Sequence, residues 1–170
     1  MDNKKMKILS IATIVALLML LTFTLWLYSS WNKETTNNSV KIYEDWRGNI
    51  ELAQTSLDQG GVPSFQIYGD IARARGFANS GLYYSNEEVF DRLTSLSSEL
   101  ELEISRLMIE NPDLLNEDQE FLNNQLELVL QNLSSSLEEI SFSQIEQIRQ
   151  DLSKNYIEYA KLPSEEVKSD

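Results

Sequence analysis

The chain of 170 residues contains no cysteine and no histidine. Without cysteine it can form no disulfide, no thiolate metal site and no lipidated cysteine. Without histidine it lacks the commonest general base, the commonest metal ligand and the side chain that titrates near neutral pH. The usual nucleophile–base pairs therefore cannot be assembled. We predict a protein that is not an enzyme, with no catalytic residue, no cofactor and no metal site.

Carboxylates are the remaining source of acid–base chemistry, and their spacing is not that of a catalytic pair. Glu99, Glu101 and Glu103 are close in sequence, but residues two apart on a helix do not face each other. Glu99 and Glu103 do share a face, beside Arg106. The simplest interpretation of this cluster is a solvated helix face with ion pairs. Neither a glycine-rich phosphate loop nor a calcium loop is present in the sequence.

Basic residues are scarce and unevenly placed. The chain has 14 Lys and Arg against 27 Asp and Glu, a net charge of −13. From Ser85 to the end, twenty acidic and six basic residues give a net charge of −14. Such a surface repels phosphate backbones, so nucleic acid is excluded as a partner. The charge is explained by solubility, and capture of a basic protein or of divalent cations is the alternative.

One long apolar run stands near the N-terminus. Ile8 to Leu27 contains no charge, no Gly and no Pro. At about 1.5 Å per residue, a helix of this length is about 30 Å long, the thickness of the hydrocarbon core of a bilayer. Four residues in the run are polar, and each can return its hydroxyl to the helix backbone: Ser10, Thr13, Thr22 and Thr24.

The flanks of this run predict its orientation. Lys4, Lys5 and Lys7 precede it, and cytoplasmic flanks are enriched in basic residues. Trp26 lies at its far end, with Tyr28 and Trp31 just beyond, where aromatic rings sit at the level of the headgroups. We expect a single-pass protein of the cell membrane, with a cytoplasmic N-terminus and an extracytoplasmic C-terminal domain. A cleaved signal peptide is the alternative, but the run is longer than such peptides have.

The sequence predicts five segments in order. They are a cytoplasmic tail (1–7), a transmembrane signal-anchor helix (8–28), a polar linker of weak helix propensity (29–39), a helical bundle (40–162) and a flexible acidic tail (163–170).

Helical periodicity begins after the linker. A first seam has spacings of three and four residues and ends at Gly60-Gly61: Tyr43, Trp46, Ile50, Ala53 and Leu57. A weaker helix follows over about Ser64 to Ala78, and its expected inner residues are Phe65, Tyr68, Ile71, Ala72 and Ala78.

Three further helices are indicated by caps and apolar seams. Ser85 with Glu88 predicts the start of the third helix, and Asn111-Pro112 predicts its end. Its seam is Leu93, Leu96, Leu100, Ile104 and Leu107. The fourth helix opens near Asn116, with Gln119 in the capping-box position, and its seam is Leu122, Leu126, Val129, Leu133, Leu137 and Ile140. Ser143 with Glu146 predicts the start of the fifth, which Pro163 ends.

These patterns predict an all-α fold, in which a single N-terminal transmembrane helix is followed by an antiparallel, up-and-down bundle of four to five helices. Short loops favour antiparallel neighbours. The shared rhythm of the third and fourth helices indicates coiled-coil-like contact between them.

The segment from Gly60 to Tyr84 differs from the rest, because it holds five of the six glycines and is nearly neutral. One interpretation is that its small residues permit tight helix packing while its aromatic residues fill the core. The other is a partner-binding surface, because Tyr and Arg are favoured in interfaces. On that interpretation the contact residues are Arg73, Arg75, Tyr83 and Tyr84.

Three functions compete on this evidence. The first is a non-enzymatic interaction module that binds another protein as a subunit, scaffold or inhibitor of an envelope assembly. Another membrane protein would suit this role, and self-association is compatible with it. The second is a small-ligand-binding, sensor-like domain with a pocket near Tyr68, Tyr83 and Arg75. The third is a carboxylate-based cell-wall hydrolase. The sequence contains no spacing of acids that predicts such an enzyme.

Overall fold

The computed structural model describes residues 3–59, 62–84, 87–112, 114 and 116–160, with side chains from Ile11 onward except that of Ala12. These residues form a short 3-10 helix, Leu137–Glu139, and five α-helices: α1 Asn3–Gln59, α2 Ser64–Gly81, α3 Glu87–Glu110, α4 Asn116–Asn132 and α5 Phe142–Tyr159. No β-strand occurs in these ranges, so the prediction of an all-helical protein is confirmed for them. Three predicted features lie outside the described residues: the Gly60-Gly61 helix end, the Ser85 cap and the 163–170 tail.

The described residues divide into two compact units, one before and one after the Asn38–Ser39 junction. In the first unit, the large hydrophobic side chains between Ile11 and Leu27 are 44–66% exposed. Within the part of the chain that the structure describes, α1 is the one helix long and apolar enough to cross a membrane, and none of its apolar window is buried. The first unit therefore has the length and composition of a membrane span.

The threonines of α1 return their hydroxyls to the helix. Thr22 Oγ1 donates to Met19 O at 2.9 Å, and Thr24 Oγ1 donates to Leu21 O at 2.8 Å. These bonds confirm, for Thr22 and Thr24, the expectation that the polar residues of the run return their hydroxyls to the helix backbone.

Residues 29–39, predicted to be a linker of weak helix propensity between the anchor and the bundle, are helical. α1 continues through them without a break. Thr35 Oγ1 donates to Trp31 O at 2.8 Å, and Thr36 Oγ1 donates to Asn32 O at 2.9 Å. The low propensity of such residues costs a few tenths of a kcal/mol each. Extending a helix that already exists is far less costly than starting one, so the weak segment stays helical.

In the second unit, α1 contributes one face to the core. Its five predicted apolar positions are all buried: Tyr43, Trp46, Ile50, Ala53 and Leu57. The Trp46 ring stacks on Tyr43 with centroids 5.6 Å apart, and Trp46 Nε1 donates to Ser97 Oγ of α3 at 2.9 Å. The indole is thus covered by neighbours while its single donor is satisfied.

α3 has neighbours on more than one side. It packs against α2 and α5, and α5 also packs against α4. Its predicted seam is buried throughout: Leu93, Leu96, Leu100, Ile104 and Leu107. Because several helices cover α3, its buried face is wider than the seam and takes in polar residues as well.

The fourth helix is shorter than its apolar rhythm predicts. α4 ends at Asn132, and the chain turns through serines before the 3-10 helix. Ser134 Oγ accepts from Ser136 N at 3.1 Å and donates to Glu139 Oε2 at 2.6 Å. Such side-chain bonds compete with the helical ladder, and so the helix stops. The later members of the seam, Leu137 and Ile140, are nevertheless buried.

Two side chains of α1 close the end of α4. Arg47 donates from Nη1 to Leu133 O at 2.9 Å and from Nη2 to Leu130 O at 3.1 Å. The Tyr43 hydroxyl donates to Ser134 O at 2.5 Å. The last carbonyls of a helix have no donor within the helix. The early end of α4 is therefore satisfied by a distant part of the chain.

The start of α4 at Asn116 is confirmed, whereas the predicted cap of α5 is wrong. α4 begins at Asn116, and Gln119 Nε2 donates back to Leu114 O at 3.1 Å. The cap of α5 is Ser141, whose Oγ accepts from Gln144 N at 3.3 Å. The prediction of Ser143 as this cap is wrong by two residues, because both serines have the capping chemistry and spacing alone did not choose between them.

Candidate interaction surface

α2 begins at Ser64, directly after Pro63, whose fixed φ suits the entry to a helix. Ser64 Oγ donates to Pro112 O at 2.5 Å, which ties the start of α2 to the segment after α3. The buried apolar residues of α2 are spaced four, three and four: Ile67, Ile71, Ala74 and Ala78. This seam holds α2 on the rest of the second unit.

The two predicted arginines lie on different sides of α2, each in an ion pair. Arg73 pairs with Asp70 of its own helix, and the Asp70 carboxylate is completely buried. Arg75 Nη1 pairs with Glu101 Oε2 of α3 at 3.1 Å. The Arg73 and Arg75 side chains remain 60% and 47% exposed. Buried carboxylates thus position two guanidinium groups whose outer parts face solvent.

The two predicted tyrosines lie in the turn that follows α2. Tyr83 N donates to Ser80 O at 3.5 Å, and Tyr84 N donates to Gly81 O at 3.0 Å. Tyr83 is 85% exposed and Tyr84 is 38% exposed. All four predicted contact residues therefore have exposed surface; whether they bind a partner stays a prediction.

Two further aromatic residues belong to this surface. Phe65 is 68% exposed and Tyr68 is 36% exposed, so the expectation that they lie on the inner side of α2 is wrong. Asp70 is buried on the inner face of α2, and this face is turned away from both aromatic residues. The spacing of Ile67 and Ile71 was the signal in the sequence that could have identified the inward-facing side of α2. We call the exposed side chains of α2 and its turn the α2 face: Phe65, Tyr68, Arg73, Arg75, Tyr83 and Tyr84.

The glycines of α2 have two different environments. A Cβ placed on Gly81 would overlap the Phe90 ring of α3, whereas a Cβ on Gly69 or Gly76 meets nothing within 4 Å. Close packing within the chain therefore explains Gly81 and does not explain the other two. Each of those two glycines costs about 1 kcal/mol in a helix relative to alanine.

The acidic residues of α3 are held differently from the sequence expectation. Glu101 and Glu103 are only 6% and 5% exposed, so the interpretation of this cluster as a solvated face is wrong for both. Glu101 is directed to Arg75 of α2, and Glu99 to Arg149 of α5. The neighbouring helices cover both sides of α3, and a helical wheel of one helix does not contain that information.

Burial changes the acidity of two of these carboxyls. The pKa of Glu103 is raised to about 8, mainly by burial and also by the Glu99 carboxylate, while Arg106 opposes the change. Burial also raises the pKa of Glu101, and the Arg75 guanidinium opposes that change. Within the described residues, Glu101 Oε1 and Glu103 Oε2 are buried without a hydrogen-bond partner. An anion in such a place is destabilised, because nothing replaces its hydration.

A groove of about 540 Å³ lies beside α5, where Glu99 of α3 meets it. Its lining is mostly charged or polar: Glu99, Glu146, Arg149, Gln150, Ser153, Lys154, Ile157 and Glu158. Arg149 binds Glu99 through Nε at 2.9 Å and Glu146 through Nη1 at 3.0 Å. Two acids of the groove are thus engaged by one guanidinium. Among the described residues, no group of three or more acids is arranged to hold a metal ion.

Comparison of the chain with protein-family models, with curated proteins and with solved structures found no match.

Proposed function

We propose that this chain is a single-pass membrane protein whose extracytoplasmic helical bundle is a non-enzymatic interaction module, a subunit, scaffold or inhibitor of an envelope assembly. The observation that carries this proposal is the composition of the α2 face. Four aromatic side chains and two arginines are exposed there. Aromatic residues and arginine are the side chains most enriched in protein interfaces.

The membrane part of the proposal rests on the first unit. Its large hydrophobic side chains are exposed, and leaving so many in water would cost about 1.5–3 kcal/mol for each. The three lysines before the run and the three aromatic residues at its other end favour a cytoplasmic N-terminus. An uncleaved anchor is favoured over a signal peptide by the length of the run.

The antiparallel arrangement of the bundle belongs to the same proposal. Short connections join α2 to α3 and α3 to α4, and such connections favour antiparallel neighbours. The link from Ser64 to Pro112 brings the start of α2 to the segment after α3, as expected if α2 and α3 run in opposite directions.

Binding of a small polar ligand is the second candidate, and the groove beside α5 is what favours it. Its volume is within the range of ligand pockets, about 300–1,000 Å³. Such pockets are mostly apolar, however, with a few polar groups, whereas only Ile157 is apolar here. The groove also lies away from the predicted pocket residues Tyr68, Tyr83 and Arg75. The interaction module is therefore the better supported function.

The topology is tested first, and the absence of cysteine makes the test clean. Asn3→Cys and Ser153→Cys are expressed separately in intact cells and treated with a membrane-impermeant maleimide. Labelling of Ser153→Cys alone, with the protein resistant to alkaline carbonate extraction, is expected. Labelling of Asn3→Cys alone contradicts the orientation, and release into the carbonate supernatant contradicts the anchor.

Partner binding is then tested by crosslinking the full-length protein in its membrane and identifying the products by mass. Recovery of a stoichiometric protein, including another copy of the chain, supports the proposal. A Tyr83→Ala/Tyr84→Ala variant should lose that product, while Lys154→Ala, an exposed side chain on α5, should keep it. Absence of any product at every crosslinker length overturns the proposal.

A further inference from the structure

The α2 face has an unusual charge for this protein. The one acidic residue between Val62 and Tyr84 is Asp70, which is completely buried. The exposed charges of this stretch are therefore those of Arg73 and Arg75. Both guanidinium groups are paired with buried carboxylates but remain 60% and 47% exposed, so the α2 face favours a partner surface that is acidic.

The outer side of α2 can be approached closely. Phe65, Gly69, Ala72 and Gly76 follow one another at intervals of four, three and four residues, so they share one side of the helix. A Cβ added at Gly69 or Gly76 meets nothing within 4 Å. At one end of α2, bulky aromatic side chains thus lie beside a stretch of small residues. Another helix can pack close to the backbone there.

α4 has the complementary composition. It contains four acidic residues and neither Lys nor Arg. Three of the acids are exposed, and with Asn124 they lie on one side of the helix at intervals of three, four and three; we call Glu117, Glu120, Asn124 and Glu127 the α4 face. The same chain therefore has, in its α4 face, an acidic surface of the kind that the α2 face favours.

We infer that the partner of the α2 face is a second copy of this chain, which presents its α4 face. This inference rests on the proposed function and names the partner. The charges of the two faces are opposite, and a shared membrane would confine the copies and raise their effective concentration. Because the two faces differ, the contact either occurs twice in a two-fold dimer or repeats head-to-tail, which closes a ring or extends a row of copies along the membrane.

Crosslinking between unique cysteines tests the contact directly. Two full-length proteins with different tags, Asn79→Cys and Asn124→Cys, are reconstituted together in liposomes and oxidised. Asn79 is exposed near the end of α2. We expect a disulfide between the two tags to form at least about tenfold faster than for the matched pair of Gly48→Cys with Asn124→Cys. Equal rates for the two pairs overturn the inference.

A steric block separates loss of contact from loss of fold. Gly76→Gln places a long side chain in the centre of the α2 face, and Gly48→Gln makes the same change on α1, where a Cβ also meets nothing within 4 Å. Added to the Asn79→Cys protein, Gly76→Gln should reduce the crosslinking rate to that of the control pair, while Gly48→Gln should leave it unchanged. Neither substitution should lower the resistance to urea, because Gln is a better helix former than Gly. Fast crosslinking in the presence of Gly76→Gln contradicts the assigned face.

Failure of this inference is distinguishable from failure of the proposed function. Equal crosslinking rates, together with recovery of a different protein from the native membrane, overturn the second copy and leave the interaction module. Equal rates with no recovered protein overturn both.

Discussion

α2 and α3 lie against each other, and each reverses the usual relation between polarity and burial. On α2, Phe65 is exposed while Asp70 is buried. On α3, Leu102 and Ile109 are 49% and 81% exposed while Glu101 and Glu103 are buried. The same reversal has different consequences in the two helices. On α2 it leaves large aromatic side chains exposed to solvent; on α3 it places acids where their charge is destabilising.

The difference follows from the number of neighbours. α2 packs on one side only, so its second side is open to solvent and to other molecules. α3 has α2 and α5 beside it and also contacts α1 through Ser97. Its flanking residues are therefore covered whatever their polarity. In a small helical unit, the position of the neighbouring helices determines burial, and the hydrophobic seam of a helix determines only the centre of the buried face.

The largest expected effect concerns Glu103. Its pKa is about 8 in the folded chain against a reference value of 4.5, so between these values the folded state holds a proton that the unfolded state has lost. The contribution of protonated Glu103 to the free energy of unfolding is therefore complete below about pH 4.5. As the pH rises to about 8, the free energy of unfolding falls by on the order of 4 kcal/mol. Urea unfolding of the full-length protein in detergent micelles, followed by the Trp46 signal in a Trp26→Phe/Trp31→Phe background, measures this.

Glu103→Gln should remove most of that pH dependence and stabilise the protein at pH 8.5. The control is Glu120→Gln, an exposed acid on α4, which should leave the pH dependence unchanged. A pH profile that is the same in Glu103→Gln as in the parent protein would show that burial of this carboxyl is not the cause.

The contact between α2 and α3 should tolerate no side chain at Gly81. Gly81→Ala forces a methyl group into the Phe90 ring, which is itself fully buried. Overpacking of this kind costs about 1–3 kcal/mol, more than the gain in helix propensity. The midpoint of urea unfolding should fall. An unchanged or higher midpoint would mean that the two helices can move apart freely.

Arg75→Ala should lower the free energy of unfolding by about 1–2 kcal/mol, because it leaves the buried Glu101 without its counter-charge. Arg75→Ala/Glu101→Gln should recover much of the loss, since an amide carries no charge to bury. The coupling energy from this double-mutant cycle is the quantity to report. Additive effects of the two substitutions would indicate that the ion pair contributes nothing to stability.

The smallest expected effect has the opposite sign. Gly69→Ala and Gly76→Ala should each raise the free energy of unfolding by about 0.5–1 kcal/mol, because the added methyl meets nothing and alanine favours the helix. Gly81→Ala measured alongside gives the contrast within one helix. Destabilisation by Gly76→Ala in dilute detergent micelles would mean that this face of α2 is packed within a single copy of the chain.

The seams of α1 and α3 were predictable from the sequence, because sustained spacings of three and four residues specify one inner face. The phase of α2 was not, because an aspartate at its centre is buried, and burial of a charge depends on a partner that the spacing does not name. The end of α4 was not predictable either, since Leu137 continues the apolar rhythm after the helix has stopped. The four predicted contact residues on α2 and its turn were chosen from composition alone, whereas the exposure of Phe65 and Tyr68 required the orientation of the helix.

The hydrogen bonds from Arg47 to the end of α4 have a consequence for folding during synthesis. The partner carbonyl at Leu133 lies 86 residues further along the chain than Arg47. At roughly 5–20 residues per second, synthesis of that stretch takes roughly 4–17 s. Arg47 and Tyr43 are thus synthesised seconds before the carbonyl groups that accept their hydrogen bonds. The hydrogen bonds that hold α1 to the end of α4 can therefore form only after Ser134 has been synthesised.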